Sequence, residues 1–196
     1  SSPWRRRGGA STSCMRTSGS TRICVYFVEG EDDEGALRRW CSLRPPQPFA
    51  GEVSRRLNEV EEILGKYVRI TRGASPIRKY RDEAGAVAVV VKFAQARSYR
   101  GVAGFIKERR EALSGKVDAI VFMFDCDAPV DQCEKYNHVS GELGCARRDG
   151  CCREGLSILG VCGVVYVLAL APRLEDVDDC TCICCHGMGS TGSASN

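Results

Sequence analysis

The chain has 196 residues, 43% hydrophobic and 27% charged, enough for one well-filled core and too few for two. No run approaches the roughly 18 uncharged apolar residues of a membrane-spanning helix; the longest, Val161 to Ala171, reaches about half of that. The net charge of +3 hides an asymmetry, because Ser1 to Arg22 holds five arginines and no acid, which leaves the remainder at about −2. Composition therefore predicts no polyanion partner for the folded part, and a basic footprint has to be local or lie in the arm.

Residues 1–21 are rich in Ser, Gly, Thr and Arg with almost nothing to bury, and read as a disordered basic arm. No apolar stretch follows Arg5-Arg6-Arg7 as it would in a secretory leader, so the expected location is cytoplasmic. Thirteen cysteines, odd in number and irregularly spaced, are expected to be reduced in a chain large enough to fold without staples. Residues 22–179 form the single domain, and residues 180–196 a Cys-rich and then Gly/Ser-rich flexible tail.

Ile23 to Val28 is a continuous β-branched and aromatic run, the pattern of a strand buried on both faces of a parallel sheet. It ends at Glu29-Gly30, and Asp32 to Leu43 places Ala36, Leu37 and Trp40 at helical spacing behind a cluster of acids. After three prolines, Val53, Leu57, Val60, Ile63 and Leu64 mark a second helix that stops at Gly65. Tyr67 to Thr71 reads as a short strand, Ala86 to Phe93 as a longer one, and Val102 to Leu113 as a helix. Val117 to Phe124 is the next strand, followed by a polar stretch with one helix around Asp131 to Val139, and Val161 to Leu170 is the last strand. Strands alternating with helices predict an α/β fold with an open, mainly parallel Rossmann-like sheet and helices on both faces.

Ligands of such sheets collect at the carboxyl ends of the strands. Two strands end there in acids: Glu29 with Asp32 and Asp33 behind it, and Asp125 with Asp127, whose two-residue spacing on an extended segment points both carboxylates the same way. Converging carboxylates repel one another unless a cation neutralises them, and an all-oxygen donor set favours Mg2+ or Mn2+ over Zn2+. That chemistry suits phosphoryl transfer or phosphodiester cleavage.

Val25-Tyr26-Phe27-Val28-Glu29-Gly30-Glu31-Asp32-Asp33, with Leu37 beyond it, resembles the first motif of the Toprim domain, a strand ending in Glu-Gly. Val121-Phe122-Met123-Phe124-Asp125-Cys126-Asp127 resembles its second, a strand ending in Asp-x-Asp. The resemblance covers residues 22–178 and is closest to OLD-type nucleases and to small stand-alone archaeal Toprim-like proteins. It implies that Glu29, Asp125 and Asp127 are catalytic, with Glu29 as general acid or base or a second metal ligand. Asp125 and Asp127 would hold Mg2+ or Mn2+, and Asp33 and Glu175 would be outer or second-metal ligands. The implied activity is metal-dependent cleavage of nucleic acid, DNA or RNA.

Two other readings compete. A haloacid-dehalogenase-like phosphatase also opens on a strand ending in Asp-x-Asp and would use Asp125 as nucleophile and Asp127 as acid/base; a non-catalytic interaction module would keep the fold alone. Asp32 or Asp33 could serve only to cap the following helix. Lys92, Arg97 and Arg72 are the candidate contacts to a nucleic-acid backbone. Cys180-x-Cys182-x-Cys184-Cys185-His186 raises Zn2+ by its density of soft ligands, against a spacing unlike the usual pair of Cys-x2-Cys units. His138 reads as a surface residue.

Overall fold

The computed structural model describes residues 21–65, 77–93, 98–148 and 157–171. Their elements, in chain order, are β1 (Ile23–Val28), α1 (Glu31–Cys41), α2 (Gly51–Gly65), β2 (Ile77–Arg81), β3 (Val87–Lys92), α3 (Tyr99–Ser114), β4 (Ala119–Asp125), a 3-10 turn (Val130–Gln132), α4 (Glu134–Leu143), β5 (Ala146–Arg148), β6 (Ser157–Cys162) and β7 (Val165–Leu170). They build an α/β fold around one open seven-stranded sheet of order β2-β3-β1-β4-β7-β6-β5. The central strands β3, β1, β4 and β7 run parallel, while β2, β6 and β5 pair antiparallel at the flanks.

The parallel centre is buried on both faces, and every residue of β1 and β7 is buried, which is why these strands are unbroken apolar runs. Ile23, Val25 and Phe27 of β1 join Ile120, Phe122 and Phe124 of β4 on one face, beneath Leu57 and Val60 of α2, Phe105 and Ile106 of α3, and Val139 of α4. Phe122 meets Phe93 and Phe124 edge-on, with centroids 5.5 and 5.0 Å apart, an arrangement that adds to plain area burial. Cys24, Tyr26 and Val28 face the other way with Val121 and Met123, under Leu37 and Trp40 of α1. Helices thus cover both faces, as expected, with α1 on one and α2, α3 and α4 on the other.

Two readings are corrected, and one strand, β2, is added. The apolar stretch from Val161 to Leu170 is a hairpin rather than one parallel strand: β6 begins at Ser157, Gly163 takes φ 60°, and β7 returns beside β4. β2 falls within the basic segment Ile77–Arg81, where an edge strand needs apolar residues only on its inner side. The cysteines are not all reduced: Cys126 is joined to Cys133 and Cys145 to Cys162, and Cys24 and Cys41 are also disulfide-bonded. Their sequence spacing is irregular because partners meet across neighbouring elements; Cys145 follows α4 and Cys162 ends β6. The strand expected at Tyr67 to Thr71 and the arm at residues 1–20 lie outside the described residues, as does everything beyond 171, the tail at 180–196 included.

At the amino end of the sheet, Arg56 of α2 donates to the carbonyls of Thr21 (3.1 Å) and Lys116 (3.0 Å). Asp118 accepts from the Ile23 N–H at 2.9 Å. This clamp fixes the starts of β1 and β4 relative to each other, and through the rigid strands it fixes where their far ends emerge. No described helix is long and apolar enough to cross a membrane.

Candidate functional site

β1 and β4 are adjacent and parallel, with Phe27 opposite Phe122. That register brings Glu29, one residue past β1, and Asp125, the last residue of β4, to the same carboxyl edge. Gly30 is the extended residue that opens α1. Asp33 lies in the first helical turn, where its Oδ2 accepts from the backbone N–H groups of Glu29 (3.1 Å) and Gly30 (3.2 Å). The capping role open to Asp32 or Asp33 thus falls to Asp33, which closes the strand-to-helix turn that also presents Glu29.

Asp33 is 7% exposed. Burial, then the charge of Asp125 and to a smaller extent that of Glu29, push its pKa up from 3.8 to about 6, against the two amide hydrogen bonds that favour the charged form. Glu29, Asp33 and Asp125 therefore share one electrostatic neighbourhood, built from three separate elements of which two come from the first motif and one from the second.

Asp127 departs from expectation. β4 ends at Asp125, and Asp127 adopts φ 55°, so the extended geometry that would aim both aspartates one way stops between them. Its exposed carboxylate meets the Lys135 ammonium at 2.6 Å. Cys126, between the two aspartates, turns inward to the core and is bonded to Cys133 just before α4. Among the described residues no group of three or more His, Cys, Asp and Glu side chains is disposed to hold a metal ion. Glu175 and the cysteine and histidine cluster from Cys180 to His186 lie outside the described residues.

A second charged group sits beside the first. Glu34, 2% exposed, receives the Tyr80 hydroxyl on Oε1, together with Arg78 at 3.4 Å, while the Lys92 ammonium stands 3.2 Å from Oε2. Lys92 also bonds Glu31. Burial works against the Lys92 charge, but the contacts with Glu31 and Glu34 outweigh it and hold its pKa above the ordinary lysine value. The same bond to Lys92 holds Glu31 below the usual carboxylate range. Lys92, expected at a nucleic-acid backbone, is thus engaged by α1 and only 14% exposed; Arg72 and Arg97 lie outside the described residues.

Sequence reasoning missed Lys135, Glu34 and Tyr80. For Glu34 the signal was present: Glu31 and Glu34 are one helical turn apart and so share a face. For Lys135 it was a cation in the first turn of a helix, the end that disfavours positive charge.

No protein-family model matches the sequence, and no curated protein matches it. Among solved structures the chain is similar to a hypothetical protein from Pyrococcus horikoshii OT3, with 17% identity and a TM-score of 0.43 over 75% of this chain and 54% of that one. The chain thus spans about half the length of that protein.

Proposed function

We propose that this is a Toprim-like protein that uses Glu29, Asp33 and Asp125 in Mg2+- or Mn2+-dependent cleavage of nucleic-acid phosphodiesters. The observation that carries the reading is geometric: Glu29 follows β1, Asp125 ends the adjacent parallel β4, and the 7%-exposed carboxylate of Asp33 is pinned to the Glu29 and Gly30 amides between them, so that acids from separate elements meet at one edge where a hard dication relieves their mutual repulsion. The donor chemistry fits such an ion, being all oxygen, with Asp33 and Asp125 as the residues to hold it and Asp127 available if released from Lys135.

A bound dication supplies charge stabilisation to the phosphate as it reacts. Glu29 is the exposed member of the group, free to reach a water or a leaving oxygen and move a proton as general acid or base. Asp33, anchored by two backbone amides, keeps its turn in place as charge changes around it. A cytoplasmic location goes with this substrate class.

The test is Mn2+ titration by calorimetry, together with cleavage of labelled single- and double-stranded DNA and RNA. Glu29→Gln should abolish cleavage and keep Mn2+ binding, and Asp125→Asn should lose both. Turnover of phosphomonoesters with a phosphoaspartate on Asp125 would replace this reading with the phosphatase. Absence of any metal binding or cleavage would leave the non-catalytic module.

A further inference from the structure

Resting on that reading, we propose that Lys135 is a ligand for the substrate phosphate, parked on Asp127 in the free protein. Four observations converge on it. The ammonium is 2.6 Å from Asp127 Oδ2. Asp127 holds φ 55°, the left-handed turn conformation that Asp adopts more readily than most non-glycine residues, which swings its side chain out of the line of β4. Lys135 occupies the first turn of α4, where the helix dipole opposes a cation. The Cys126–Cys133 bond closes the short loop between β4 and α4, so the pair stays next to Asp125 at the carboxyl edge.

An exposed ion pair contributes little to stability, too little to account for a cation placed at the helix end that opposes it. Such costs collect where a residue must be ready for a ligand. While paired with Asp127, the Lys135 Nζ also lies 5.7 Å from the centroid of the Tyr99 ring. Arg100 is 5.8 Å from the same ring, and His138 meets the ring edge-on at 5.9 Å. A phosphate arriving at this edge therefore finds an ammonium whose present partner, Asp127, has its own use in binding a dication. One cation serves the carboxylate when the site is empty and the phosphate when it is filled.

The probe is a short labelled oligothymidylate, its binding to the full chain followed by fluorescence anisotropy over a range of salt without dication. Lys135→Met should weaken binding several-fold and lower the slope of log K against log salt by about 0.7, one phosphate contact on a single strand. Lys135→Arg should restore the slope. Asp127→Asn should tighten binding several-fold, and adding Lys135→Met should abolish that gain, as coupled neighbours require. An unchanged slope in Lys135→Met, or a gain from Asp127→Asn that persists without Lys135, overturns this proposal alone. Wild-type protein that binds no oligonucleotide overturns it together with the function it rests on, whereas wild-type Mn2+ binding tests that function separately.

Discussion

Asp33 and Glu34 are consecutive residues of one helix, both buried, and their surroundings are opposite. Glu34 is met by donors, with the Tyr80 hydroxyl, Arg78 and Lys92 closing around it. Asp33 is met by two backbone amides and by the charges of two other carboxylates. One acid is held for the fold; the other is held in an environment that disfavours its charge, which is how functional carboxylates are commonly placed. Neighbouring positions with the same chemistry are separated by which way the helix turns them.

The largest effect should come from breaking the compensated side. Lys92→Met leaves Glu34 buried against Tyr80 and Arg78 alone and should cost about 3 kcal/mol, as removal of one partner from a buried pair does. Urea unfolding at pH 7 measures it, and adding Glu34→Gln should recover most of the loss.

The Asp33 side should appear as a pH slope. A folded-state pKa of about 6 against 3.8 unfolded means that the folded chain binds this proton more tightly. The associated stability is present below about pH 4 and lost as pH rises through about 6, on the order of 2 kcal/mol after allowing for solvent. Thermal melts from pH 4 to 8 should show that decline, Asp33→Asn should flatten it, and Mn2+ at a hundred times its Kd should offset it with about 2.7 kcal/mol. A flat wild-type profile would remove the contrast between the two acids.

Two controls set the scale. Gly160→Ala places a Cβ 2.9 Å from the Tyr136 hydroxyl and 3.2 Å from Cys145 Cβ, and should cost about 1–3 kcal/mol by overpacking, with no change in pH slope. Glu61→Gln breaks the partly exposed pair with Lys79, 3.0 Å apart, and should shift stability by less than about 1 kcal/mol.

What could be read in the sequence follows from how each element is buried. β1, β3 and β4 carry uninterrupted apolar runs because both their faces are covered, and α1 to α3 carry a one-sided periodicity. β2 was hidden because Arg78, Lys79 and Arg81 suit an open edge, and the β6–β7 turn because Val161, Cys162, Val164 and Val165 keep apolar character through it, leaving Gly163 as the only mark. At the candidate site, the placing of Glu29 and Asp125 at one sheet edge was legible because acids directly after buried strands are conspicuous. The detour of Asp127 was not, since a left-handed residue and a partner eight positions on leave no periodic trace.

Finally, the Cys126–Cys133 and Cys145–Cys162 bonds bracket α4, one joining the segment before it to the exit of β4 and the other joining the segment after it to β6. With Arg110 also donating to the Leu143 carbonyl at 2.8 Å, the helix is moored fore and aft. Amide protons of α4 should therefore exchange only when the central strands themselves come apart, and a dithiol should turn this slow segment into an independently breathing one.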